Sequence, residues 1–440
     1  MAIVKQIALE SNRKIQINFE GGQLSSDAGL FLLKEFYHKL GVEQLLKNQF
    51  HTNGSGHFRI HEDHKNLLQM LFQITSAYFQ DDHADTLRKD PVFTALLGKA
   101  ALASQPTLSR FHNRMDETTC AQFEEIQRLL RKKIYSVKKP EHILFDLDTT
   151  LFSAYGEQEG KAFNYHYQAD GYHPLLCYDG MTGDLLKAEL RPGGTYCGKD
   201  AVAFMQPLLE EYTENYPDVD LFLRGDSGFM DNKLFTLCET NGTSYAIRMK
   251  TNPVLRKLAA GAERELSVIT QEDGISYAAV YTEFLYQAGP WEYPRRVVCK
   301  IEKLYGRIDH EYAFLATNMT SSPEDVCRFY FKRGQMENFI KECKNGFDMD
   351  YVSSSSQIVN ANRMQIHALA YNLFNWFRRL MLPNHLKKDR INTIRLKLFK
   401  IAARVVRSSR YVYFKLCSSC PFQKEFFETM QNIRTLRLLE

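Results

Sequence analysis

Between His142 and Lys250 the apolar residues change period in a fixed order, and few folds accept that order. Over residues 142–149 the alternation is strict: Ile143, Phe145 and Leu147 fall on one face of a strand, and Leu144, Asp146 and Asp148 on the other. Residues 172–178 and 185–190 read as strands around the turn Asp179-Gly180-Met181-Thr182-Gly183-Asp184. With the first strand, that hairpin makes a three-stranded meander. A helical period follows over residues 199–212, with Asp200 able to sit in the first turn. A short apolar strand then runs into Arg224-Gly225-Asp226-Ser227-Gly228-Phe229, followed by a helix-like segment over 230–239 and a strand over 244–250. The expectation is an α/β unit with the order strand–strand–strand–helix–strand–helix–strand.

Charged residues interrupt this pattern where burial makes them costly. Two aspartates on one face of an apolar strand, Asp146 and Asp148, need a partner, a hydrogen bond or a metal. Asp226 lies between the carboxyl end of a strand and a helix, which is where open α/β sheets place ligand groups. Gly225 and Gly228 allow a tight turn there, although Gly-Asp-Ser-Gly alone reads equally well as a turn with a helix N-cap. Further on, Ser322-Pro323-Glu324-Asp325 starts a helix with a capping serine, proline at the first position and acids in the first turn. That helix carries Tyr330, Arg333, Glu337 and Lys344 at spacings of three, four and seven. On a continuous α-helix all four fall within about 60° of arc. A carboxylate ringed by cations and a phenol suits phosphate handling. The plain alternative is a solvated face with intrahelical ion pairs.

The spacing Tyr330-(2)-Arg333-(3)-Glu337-(6)-Lys344 resembles, residue for residue, the hallmark of the insertion sequence 4 superfamily of bacterial DDE transposases. Asp148-Thr149-Thr150 resembles the family's first catalytic motif, and Arg-Gly-Asp-Ser-Gly-Phe at 224–229 resembles its insertion sequence 1380 branch. The resemblance implies a ribonuclease-H-like core, consistent with the element order, and a catalytic triad of Asp148, Asp226 and Glu337. It leaves Asp146 to support the site or face solvent, and an N-cap or turn role remains the plain alternative for Asp148. It also implies two Mg2+ ions, with Mn2+ able to substitute; carboxylate oxygens suit such hard cations. Asp148 would bridge the two ions, while Asp226 and Glu337 would each hold one. Water would cleave the element's ends, and the released 3′-hydroxyl would attack target DNA. Arg333 and Lys344 would hold terminal phosphates, with Tyr330 stacking or hydrogen-bonding beside the scissile strand. The implied partner is double-stranded DNA, as inverted-repeat ends and as target, with a dimer forming on DNA. Two rivals stay open: an inactive or domesticated descendant that only binds DNA, and a metal-dependent nuclease without strand transfer.

Around this core, residues 1–140 are expected to be a mostly helical DNA-end-binding region and 141–250 the first part of the core. Residues 251–321 are expected as a β-rich insertion, 322–350 as the last core helix and 351–440 as a basic helical region. In the insertion, residues 277–284, 296–302 and 310–317 alternate like strands, with turns near Asp273-Gly274 and Tyr305-Gly306. In the N-terminal region, residues 27–40 and 65–78 have helical periodicity. The run 104–112 resembles the start of a helix-turn-helix element, with Ser104 as cap and Gln105, Ser109 and Arg110 toward DNA; a capped core helix fits equally. His57, His61 and His64 have helix-compatible spacing for a metal, but Gly54 and Gly56 precede them, which argues against a site.

The whole-chain charge of +4 says little, but its distribution says more. From Arg378 to Lys415 there are twelve Lys or Arg and one acid, Asp389, a balance of +11, which leaves −7 for the rest. Ile391, Ile394, Leu398, Ile401 and Val405 form an apolar stripe at helical spacing, with Arg395, Lys397, Lys400 and Arg404 on other faces. Such a helix suits a membrane surface or a partner; behind a phosphate-handling core, a DNA-backbone contact is the preferred reading. No run of 18 apolar residues and no signal-peptide pattern occurs, so a cytoplasmic, nucleoid-associated protein without membrane contact is expected. None of the nine cysteines is needed for a disulfide in that compartment, and Cys417-Ser418-Ser419-Cys420 is a lone CxxC without a partner pair.

Overall fold

The alternating stretch forms strand β1 (His142–Thr149) in the middle of an eight-stranded mixed sheet. The structure is a computed structural model that describes residues 6–54, 59–270, 277–304 and 309–438. His57 and the turns expected at Asp273-Gly274 and Tyr305-Gly306 lie outside those residues. The other strands are β2 (Leu175–Asp179), β3 (Leu185–Glu189), β4 (Asp220–Gly225), β5 (Ser244–Met249), β6 (Tyr277–Tyr286), β7 (Arg295–Leu304) and β8 (Glu311–Thr317). Their spatial order is β6-β7-β8-β5-β4-β1-β2-β3. β1, β2 and β3 form the antiparallel meander, while β4 and β5 continue from β1 in parallel. This half of the sheet is the ribonuclease-H-like arrangement. The three strands of the insertion pair antiparallel onto β5 through β8 and extend the same sheet.

Helices cover the sheet on both sides, as the near-continuous burial of its central strands requires. They are α1 (Ala201–Asn215), α2 (Asn232–Thr240), α3 (Pro253–Ile269), α4 (Pro323–Phe331) and α5 (Gly334–Phe347). Helix α3 opens the insertion, which the strand alternation alone did not foretell. On one face of β1, Phe145 meets Tyr212 of α1 edge-on at 5.3 Å. On the other, Asp146 is fully buried and forms a two-pronged ion pair with Arg224 of β4, at 2.7 and 2.6 Å. A third guanidinium nitrogen of Arg224 donates to the Phe329 carbonyl of α4 at 2.6 Å. Asp146 therefore does not face solvent; it fastens two core strands and a helix. Gly180 leaves room for this pair: a Cβ there would lie 2.3 Å from Asp146 Oδ2.

The chain divides into two compact units. One takes residues 138–341 and 350–364; the other takes residues up to 137, 342–349 and 365 onward. The second unit is mainly helical, with Phe31–Leu40, Asp63–Thr75, Glu117–Val137 and Gln423–Thr435 among its helices. It contains the main departure from the sequence reading. The cationic helix expected over 391–405 is a single α-turn (Ile391–Ile394), a π-turn (Arg395–Phe399) and then a strand (Ala403–Arg407) paired with Val412–Leu416. The apolar stripe is buried as expected, but Arg395 ends the helix by pointing inward. Its guanidinium donates to the carbonyls of Ile74, Thr75 and Gly346.

Removing one member of the buried Asp146–Arg224 pair strands a charge in the core. Arg224→Ala should lower the unfolding free energy by about 3–5 kcal/mol in urea titration. The double change Asp146→Leu/Arg224→Met should recover most of that loss; a single variant of wild-type stability would contradict the assignment.

Candidate functional site

The register set by Asp146 and Arg224 determines what lies beyond them. β1 and β4 run parallel with Arg224 opposite Asp146, so two residues further on, Asp148 and Asp226 emerge from the same ends of neighbouring strands. Asp148 is the penultimate residue of β1; Asp226 follows Gly225 and turns the chain into a 3-10 turn (Ser227–Phe229). Asp226 Oδ1 accepts from Gly228 N at 2.8 Å, which fixes the carboxylate. Gly228 is required there, because a Cβ would lie 2.1 Å from Cys197 Sγ and 3.0 Å from Asp226 Oδ1.

Both aspartates line one cavity of about 560 Å³, with Thr149, Tyr167, His173, Cys197 and Lys250 in its wall. Burial pushes the Asp148 carboxyl up from its ordinary value. The Arg333 guanidinium opposes that rise, and the neighbouring charge of Asp226 adds to it. Arg333 Nη2 lies 3.1 Å from Asp148 Oδ2 and donates to the Leu147 carbonyl at 2.9 Å. Its Nε is buried with no hydrogen-bond partner among the described residues.

The helix that carries the last candidates is broken. After α4 ends at Phe331, Lys332 and Arg333 form a turn closed by bonds from Arg333 N to Tyr330 O and from Met336 N to Arg333 O, before α5 begins at Gly334. The single 60° face expected from spacing therefore does not form. Tyr330 packs with Ala246, Val298, Leu315 and Val326 and is 5 % exposed, so its ring is not free to stack on DNA. Glu337 faces solvent, 3.7 Å from Lys341. Among the described residues no three acidic, histidine or cysteine side chains converge as a metal cage. The structure brings Asp148, Asp226 and Arg333 together and leaves Glu337 apart. Lys344 is half-buried where α5 has entered the other unit, its carbonyl accepting from Asp348 N.

The remaining candidates belong to the helical unit. Arg395, 4 % exposed, is a structural cation and not a surface one. Lys397 pairs with Asp389 at 2.8 Å, and Lys400 pairs with Asp27 at 2.6 Å while lying over the Tyr78 ring. Arg404 is exposed on its strand. Ser109 is half-buried and Arg110 exposed on the helix Gln105–His112; Ser104 holds the N-cap position, but its hydroxyl meets Thr107 instead of capping a backbone N–H.

Several cavity residues escaped the sequence reading. Lys250 follows the carboxyl end of β5, the third parallel strand, so the rule that located Asp226 locates it too. His173 and Tyr167 come from the segment between β1 and β2, where the aromatic run Phe163-Asn164-Tyr165-His166-Tyr167 was the available signal. Tyr167 donates to the Thr149 carbonyl at 3.2 Å; burial and the Asp148 charge push its phenol up to about 12. His173 is held on the Thr195 carbonyl at 2.7 Å, and burial lowers its ring below the ordinary imidazole value.

Two carboxylates at adjacent strand ends, with a guanidinium where positive charge is needed, suit a hard divalent cation better than a thiolate or imidazole set would. Arg333→Ala should drive the Asp148 carboxyl further up, since burial would then act without its opposing cation. A carboxyl-carbon NMR titration checks this, and an unchanged or lowered midpoint would contradict the pairing.

The family profile described as "Transposase DDE domain group 1" matches residues 7–438. No curated protein matches the chain. Among solved structures, the cryo-EM structure of a piggyBac transposase synaptic complex with hairpin DNA is 11% identical over 85% of this chain and 80% of that chain. Its TM-score of 0.39 is too low to carry an argument.

Proposed function

The chain belongs to the transposase DDE domain group 1 family, and from that premise we propose a cut-and-paste DNA transposase of the bacterial insertion sequence 4 superfamily, in its insertion sequence 1380 branch. The observation that carries this reading is the pairing of Asp148 and Asp226 at the ends of parallel β1 and β4, in one cavity with Arg333 beside them. Asp148, Asp226 and Glu337 would hold two divalent ions, Mg2+ or in its place Mn2+. When bound, those ions supply charge neutralisation at the entering and leaving oxygens of a phosphodiester.

The chain's own residues do the rest. Arg333 now compensates Asp148; with cations on the aspartates its guanidinium would be released to a phosphate. Lys250 adds a cation at the cavity rim, suited to the flanking backbone. In the first step a water oxygen bonds to the scissile phosphorus and the bond to the 3′-oxygen breaks, leaving a 3′-hydroxyl and a 5′-phosphate. In the second, that hydroxyl bonds to a target phosphorus and displaces the target's 3′-oxygen. Glu337 would complete the acidic set by movement about the Lys332–Arg333 turn when DNA and cations bind. The partners would be inverted-repeat ends and target DNA, with a dimer on DNA. The outward Glu337 also favours a second reading, a descendant that binds DNA without cutting it.

An excision assay with a marker bracketed by the native ends separates these readings. Excision with reinsertion is expected, dependent on Mg2+ and stopped by chelation. Linear cuts alone would indicate a nuclease, and binding alone an inactive descendant. Asp226→Asn and Glu337→Gln should each lower cleavage by about 10³-fold or more, through loss of several kcal/mol of charge stabilisation, with end binding largely kept. Wild-type cleavage by Glu337→Gln would remove Glu337 from the site.

A further inference from the structure

The strand that replaces the expected cationic helix is half of an exposed hairpin, Ala403–Arg407 with Val412–Leu416, whose other edge pairs with Leu24–Ser25. Its two faces differ. Ala403 and Val405 are buried, and Phe414 meets Phe31 at 4.7 Å, so that side packs inward. The outward side pairs Arg404 directly with Lys415 and Val406 with Tyr413. Like charges directly opposite each other destabilise a strand pair, and no acid occurs between Asp389 and Glu425 to relieve them. At the tip, the turn Ser408-Ser409-Arg410-Tyr411 is closed by Ser408 N on the Tyr411 carbonyl, and Arg407 and Arg410 are exposed. Tyr411 and Tyr413 are 62% and 48% exposed with ring centroids 6.0 Å apart. Arg395, Lys397 and Lys400 are each engaged inside their own unit. Among the described residues, Arg404, Arg407, Arg410 and Lys415 form no ion pair.

We propose that this hairpin is a duplex-DNA backbone clamp, with Arg404, Arg410 and Lys415 on phosphates and the tyrosine hydroxyls beside them. The proposal rests on the reading of the chain as a DNA-acting enzyme. Charge complementarity carries it: a five-residue strand spans about 17 Å, a length over which a duplex offers about ten phosphates. A two-stranded ribbon also fits a DNA groove. A contact with the phosphate backbone alone tolerates any sequence.

The test uses the full-length protein, a duplex carrying the element's end and an unrelated duplex, titrated over a range of NaCl concentrations. Arg404→Ala/Arg410→Ala should weaken both complexes by about 10–30-fold and reduce the slope of log K against log salt by about 2. Arg404→Lys/Arg410→Lys should keep the wild-type slope. The proposal is overturned if the alanine pair leaves affinity and slope unchanged, if the lysine pair loses as much as the alanine pair, or if only the element's end is affected. It is equally overturned if the alanine pair loses binding to phosphatidylserine vesicles while its DNA binding stays intact. A wild-type protein that binds no duplex would remove the transposase reading and the clamp together. Wild-type binding and cutting beside an unaffected alanine pair would remove the clamp alone.

Discussion

The buried ion pair between Asp146 and Arg224 sets the geometry on which the candidate site depends. It locks β1 and β4 in one parallel register, and side chains two residues further along must then emerge side by side. Because Arg224 also reaches the Phe329 carbonyl, the same pair holds the end of α4, from which Arg333 follows within a few residues. Taking two charges out of water is expensive, and a well-packed apolar substitute is often no less stable. What the ion pair supplies is registry. A slip of one residue would send Asp148 to the opposite face of the sheet.

Beyond that pair the electrostatics are unbalanced by design of the register. The charge of Asp226 adds to the cost that burial sets on ionising Asp148. Arg333 offsets part of that cost, in the place where the proposed function puts divalent cations. The broken helix allows this. A continuous helix through 330–344 would fix Arg333 and Glu337 to one face, whereas the turn at Lys332–Arg333 lets the guanidinium fold onto Asp148 while Glu337 looks outward. On the proposed function, Arg333 would hold the place of divalent cations, and Glu337 would join the site only once DNA is present.

Much of the unit built on the eight-stranded sheet was legible in the sequence because period-two alternation and turn chemistry are local signals. β1, the β2–β3 hairpin and the turn at Asp226 could be placed from residue order alone. The burial of the stripe Ile391, Ile394, Leu398, Ile401 and Val405 was legible too, but its conformation was not. A stripe at helical spacing is equally buried when a π-turn leads into a strand, and the pairing of that strand with Leu24–Ser25 joins residues far apart in the chain. Arg395 and Tyr330 show the same limit. A polar side chain counted on an exposed face can be drawn inward by carbonyls or apolar neighbours that periodicity does not see. The turn at Lys332–Arg333 was also hidden, since the residues around it keep helical spacing across the break.

On the proposed function, Asp148, Asp226 and Glu337 become one cation-binding set on DNA. Anomalous scattering from Mn2+ in a crystal of the full chain bound to a cleaved native end tests it most directly. The expected result is Mn2+ peaks ligated by Asp148 and Asp226, with Glu337 turned inward to the same ions and Arg333 moved from Asp148 to a phosphate. Mn2+ bound in a cutting-competent complex with Glu337 still turned to solvent would contradict it.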